Sequence, residues 1–112
     1  MQVLKFGGSS VANANDINRV VEIIKNNKAD TKIVVVVSVL SGVTNMLLKT
    51  AILAETNDEL YKTILKDIEN KHLLAVKEMI PVQQRSAVLS LVKEICNEAE
   101  DICNGIFLLR EL

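Results

Sequence analysis

Apolar positions in the first forty residues change their period twice. Val3, Leu4 and Phe6 form a short apolar run that stops at Gly7-Gly8-Ser9-Ser10 and reads as a strand. Ile17, Val20, Val21 and Ile24 then recur at i, i+3, i+4 and i+7, the stripe of an amphipathic helix. Asn26-Asn27-Lys28 closes that helix, with a cation in the last turn where the helix dipole favours one. Ile33 to Val37 is an unbroken run of five β-branched residues, the pattern of a strand buried on both faces in a parallel sheet. Strand, helix and strand together make a βαβ unit, whose crossover is right-handed almost without exception.

The second half is helical. Met46, Leu47, Leu48 and Ile52 place a helix after the second strand, which Ser41 or Thr44 could cap. Thr56-Asn57-Asp58-Glu59 has the form of a capping box and predicts the start of a long helix through Leu60, Ile64, Ile68, Val76 and Met79. Pro81 breaks that pattern, and a further helix carries Val88, Leu91, Val92, Ile95, Ala99 and Ile102. Two long helices with so short a connection predict an antiparallel hairpin. Gly105 is expected to end it, although the apolar Ile106-Phe107-Leu108-Leu109 follows.

Composition narrows the function classes. The 112 residues are 49% hydrophobic and 24% charged with a formal net charge of −1, which describes one ordinary globular domain. No basic excess and no aromatic platform favour nucleic acid, since Tyr61, Phe6 and Phe107 are the only aromatic residues. The longest apolar run is too short to span a membrane and Met1 opens directly into a strand, so a cytoplasmic location is expected. Cys96 and Cys103 lie seven apart on one helix face. Their Cα atoms would stand on the order of 10 Å apart, beyond disulfide reach, and they read as small hydrophobes. His72 has no second histidine to form a ligand pair and reads as a packed or surface residue. No metal site is expected.

Two loops carry the candidate chemistry. A strand that ends in glycines and is followed by a helix can aim backbone N–H groups at an anion, because glycine permits close approach to the main chain. Lys5, two residues before Gly7, would add a compact positive charge. The alternative is a plain tight turn with positive φ, with Ser9 or Ser10 capping the helix. Neither the dinucleotide nor the P-loop glycine fingerprint is present. Ser38-Val39-Leu40-Ser41-Gly42-Val43-Thr44-Asn45 is a second small, polar loop after the second strand. Parallel strands would bring both loops to the carboxyl edge, where open α/β sheets bind ligands.

Lys5-Phe6-Gly7-Gly8-Ser9-Ser10-Val11-Ala12 resembles the K-F-G-G-[ST]-S-V-A signature of aspartate kinases, with Ser9 in place of the commoner Thr. Val36-Val37-Ser38-Val39-Leu40-Ser41-Gly42-Val43-Thr44-Asn45 resembles that family's second motif, V-V-S-A-x-[SA]-G-[VI]-T-N. The opening Val-Leu-Lys-Phe-Gly-Gly-Ser-Ser-Val-Ala-Asn-Ala is most similar to the fused aspartate kinase–homoserine dehydrogenases. The resemblance implies an α/β chain, part of a three-layer αβα sandwich of the amino-acid-kinase type. It also implies transfer of the γ-phosphoryl group of MgATP to the β-carboxylate of L-aspartate, giving 4-phospho-L-aspartate. By carry-over, Lys5 would neutralise charge on the transferred group, and Lys5, Phe6, Gly7, Gly8 and Ser9 would bind nucleotide. Ser38 and Thr44 would contact aspartate, and the protein would be a homo-oligomer.

Two strands make a marginal sheet, so the 112 residues are expected to be the truncated opening of a longer catalytic domain, without the regulatory domains. Residues 1–55 would supply a βαβα part with both ligand loops, and residues 56–105 the helical hairpin. On that expectation the isolated chain is inactive. The alternatives are another phosphotransferase of the same type, which Thr44 in the second motif disfavours, and a helical interaction module in which the glycines serve only as turns.

Overall fold

A computed structural model of the chain describes residues 1–27 and 32–111. The chain forms two compact units, Met1–Gly42 and Val43–Leu112. In the first, β1 (Gln2–Phe6) leads through a 3-10 turn (Gly8–Val11) into α1 (Ala14–Asn26), and then β2 (Ile33–Val37). The strands pair in parallel with Phe6 opposite Val37, so they end at the same edge. Val20 on the predicted α1 stripe is buried with Val11 and Ala14, whereas Val21 is exposed.

The helix cap differs from either serine. Asn13 caps α1, its Oδ1 accepting the Asp16 N–H at 3.0 Å. The cation in the last turn of α1 is Lys25; Lys28 lies outside the described residues. The largest departure is β2. Val34 to Val37 are 39–58% exposed rather than buried on both faces. Among the described residues the sheet has two strands, so β2 is an edge strand with little to cover its valines.

The second unit contains α2 (Val43–Glu55), α3 (Tyr61–Met79) and α4 (Val82–Glu111). Thr44 is the second residue of α2 and therefore lies within the helix. The expected capping box does not form, because Thr56 closes the end of the preceding helix. Its Oγ1 donates back to the Ile52 carbonyl at 2.9 Å. Asn57 sits at φ 60°, the left-handed region that asparagine tolerates. The Asn57 N–H bonds the Ala54 carbonyl and the Asp58 N–H the Leu53 carbonyl, the paired bonds that close a helix C-terminus. Asp58 then turns the chain towards α3, its Oδ1 accepting the Leu60 N–H at 3.0 Å.

α3 and α4 form the predicted hairpin across Ile80-Pro81. Arg85 Nη2 donates to the carbonyls of Lys77 and Ile80 at 2.9 and 3.2 Å, which satisfies the end of α3. α4 runs through Gly105 to Glu111, against the expectation that it stops there. Long-range contacts hold its last turns. Phe107 is buried with Ala54 and Tyr61, its ring 5.4 Å from that of Tyr61. Asn57 Nδ2 donates to the Phe107 carbonyl and Arg110 Nε to the Glu55 carbonyl, both at 2.9 Å. The Tyr61 hydroxyl donates to Asn104 Oδ1. Burial raises the Tyr61 pKa above its ordinary value, with Cys103, Glu100, Glu59 and Glu111 adding to the effect, so the hydroxyl keeps its proton for that bond.

Gly105 therefore costs helix stability without serving as a stop. A Cβ there would meet nothing within 4 Å. Gly105→Ala is expected to stabilise the chain by about 0.5–1 kcal/mol, read as a higher thermal unfolding midpoint. An unchanged or lower midpoint would show that the glycine relieves a strain not visible in its surroundings.

His72 Nδ1 lies 2.7 Å from the Ile68 carbonyl, one turn back on α3, as suits a packed histidine. Both cysteines are free and half-buried. Burial pushes both thiols up in pKa, with Glu69 adding at Cys96, so both stay protonated at neutral pH. No helix among the described residues is long and apolar enough to cross a membrane.

Candidate functional site

The site candidates of the first unit converge because β1 and β2 are parallel and in register. The Ser38 N–H donates to the Phe6 carbonyl at 3.2 Å, extending the ladder one step past the strands. This bond brings Ser38 beside the glycine turn. A Cβ built on Gly8 would stand 3.7 Å from Ser38 Oγ, and one built on Gly7 would meet nothing within 4 Å. Lys5, Phe6, Gly7, Gly8, Ser9 and Ser38 thus share one edge of the sheet. Thr44 belongs to the second unit, where it is exposed on the first turn of α2.

The backbone discriminates between the two readings of the glycine pair. Gly7 has φ −75° and ψ 178°, extended geometry open to any residue, and positive φ among the described glycines occurs only at Gly42. A tight turn with positive φ is therefore not what Gly7 and Gly8 provide. Nor does crowding within the chain demand glycine at either position. What the pair leaves is bare backbone, with open space at Gly7 and Ser38 Oγ at ordinary contact distance from Gly8. The N–H groups of Gly8 and Ser9 begin the 3-10 turn and have no acceptor inside it, while Ser10 N–H closes the turn on the Gly7 carbonyl at 3.0 Å. Such amides can take anionic oxygens.

Strand alternation sets the two side chains before the glycines apart. Phe6 is half-buried, and Lys5 is exposed from the opposite face. On the Phe6 side, a cleft of about 280 Å³ opens between the turn and α1. Ser9 and Ser10 line its turn side, and Asp16 and Arg19 its helix side. The sequence reading missed this pair, for which the available signal was opposite charges at i and i+3 in the helix that follows the loop. Arg19 Nη1 lies 3.9 Å from Asp16 Oδ1. No group of three or more His, Cys, Asp or Glu among the described residues could hold a metal ion.

The model of the amino acid kinase family matches residues 1–101. The chain belongs to that family. The bifunctional aspartokinase/homoserine dehydrogenase of Buchnera aphidicola is 31% identical over 99% of this chain and 14% of its own length. A chloroplastic bifunctional aspartokinase/homoserine dehydrogenase 2 of Arabidopsis thaliana is 29% identical over 95% of this chain and 12% of its own length. The aspartokinase of Rickettsia conorii is 50% identical over 40% of this chain and 12% of its own length. The chain thus spans 14% or less of each of these relatives. Its mixed α/β arrangement, a parallel βαβ unit followed by helices, is consistent with part of an amino-acid-kinase fold.

Proposed function

We propose that this chain is the phosphate-binding opening segment of an aspartate kinase, which transfers the γ-phosphoryl group of ATP, as its magnesium complex, to the β-carboxylate of L-aspartate. The observation that carries the reading is a glycine pair that neither dihedral angles nor packing requires, at the sheet edge it shares with Ser38. Glycine here is explained by a ligand that must reach the main chain. The Gly8 and Ser9 amides hold ATP phosphates and Lys5 offsets the charge on the transferred group, the positioning and charge stabilisation on which phosphoryl transfer depends. Ser38 and Thr44 are assigned to aspartate, and the similarity to aspartokinases supports that acceptor.

Magnesium arrives with the nucleotide and is part of the substrate. The segment supplies one portion of the site, so the 112 residues alone are expected to release no ADP. A cytoplasmic homo-oligomer is part of the same proposal, with the exposed β2 valines suited to burial by further protein.

The test is ADP release by a full-length kinase carrying this segment, given MgATP with L-aspartate, L-glutamate, carbamate or no acceptor. Release with aspartate alone is expected. Release with another acceptor would keep the phosphate site and replace the substrate. A folded protein that releases none with any acceptor would return the glycines to a structural role.

A further inference from the structure

We propose that Arg19 is a second phosphate-binding cation of this site, held by Asp16 while the site is empty and handed to the nucleotide when it binds. The inference rests on the phosphate-cradle reading of the glycine turn. The geometry that supports it is the cleft of about 280 Å³ that Arg19 lines together with Phe6, Ser9 and Ser10 on the side of the glycine turn. Arg19 is the only cationic side chain lining that cleft. Lys5 projects from the opposite face of the strand, so the two cations flank the turn from its two sides.

The partner of Arg19 is suited to releasing it. The ion pair is an i, i+3 contact on the helix surface, with the arginine side chain 80% exposed, and its 3.9 Å length is the outer limit of such a pair. Exposed pairs of this kind are worth little, so exchange for a stronger partner is easy. The contact engages one Nη of a guanidinium that carries five donors. A phosphate can take two of them at once, which a carboxylate at this distance does not. Asp16 also tolerates the loss. It lies in the first turn of α1, where the helix dipole stabilises a carboxylate.

A purely structural pair would behave differently. It would add a few tenths of a kcal/mol to α1, and removing either partner would lower the melting temperature without moving KM for MgATP. In the exchange described here Asp16 competes with the nucleotide for Arg19, so the two residues act with opposite sign.

The experiment compares variants of the full-length kinase by steady-state kinetics and by the shift in melting temperature that MgATP produces. Arg19→Ala is expected to raise KM for MgATP roughly tenfold, the loss of one charge-assisted bond, and to shrink the nucleotide-induced shift. KM for the acceptor should not move. Arg19→Lys should restore part of the loss, as a point charge without the planar fork. Asp16→Asn should lower KM for MgATP, and should have no effect in the Arg19→Ala background.

An unchanged KM and nucleotide shift in Arg19→Ala, with Lys5→Ala still inactivating, would overturn the role of Arg19 and leave the phosphate cradle standing. Losses of melting temperature in both Arg19→Ala and Asp16→Asn without a change in KM would also overturn it, in favour of a structural pair. If Lys5→Ala proves as active as the parent, the cradle and this inference fall together.

Discussion

Lys5→Ala, in a full-length kinase carrying this segment, is expected to lower kcat by about 10²–10³-fold, the cost of removing one preorganised electrostatic partner of a transition state. The melting temperature should barely move. Lys5 is exposed on β1, and the strand pairs with β2 through main-chain bonds that a side-chain change leaves intact. Exposed substitutions of this kind stay within about 0.5 kcal/mol. Gly8→Ala provides the complementary test. Its methyl group would sit at ordinary contact distance from Ser38 Oγ, so the fold accepts it, while the space for a phosphate does not. KM for MgATP should rise. Full activity in both variants would show that no phosphate reaches this turn.

Phe107→Ala is expected to destabilise the chain by about 3–5 kcal/mol, measured by urea unfolding of the 112 residues. Phe107 is 8% exposed and packs with Ala54 and Tyr61, among the half-buried Leu53, Leu65, Cys103 and Ile106. Truncation leaves a cavity and removes a tilted aromatic pair that contributes about 0.5–1.5 kcal/mol beyond its burial. Domains of this size have only about 5–15 kcal/mol of net stability, so the loss should be large enough to move the whole transition. Leu109→Ala is the control. Leu109 lies two residues further along α4 and is 69% exposed, and its truncation should stay near neutral. Equal effects from the two variants would show that the α4 terminus does not pack as described.

The sequence by itself determined the kind and order of the elements. The β-branched run at Ile33–Val37, the 3.6-residue stripe from Ile17 to Ile24 and the break at Pro81 are short-range signals, and strand, helix and hairpin turn each appear there. It also determined that two polar loops follow two parallel strands, and parallel pairing then requires them to share an edge. Tertiary structure decided where elements end and which surfaces meet. Thr56 reads equally well as the start of one helix or the end of another, and its bonds to the Ile52 and Leu53 carbonyls settle it as an end. Gly105 reads as a stop, yet the Phe107 ring and two hydrogen bonds to residues about fifty positions away carry the helix past it. β2 reads as covered on both faces, but the pattern records what a strand could bury, whereas exposure depends on what packs against it. Gly7 and Gly8 could be placed in a turn from their types alone. Only their dihedrals exclude a tight turn with positive φ, because backbone angles are properties of the folded chain.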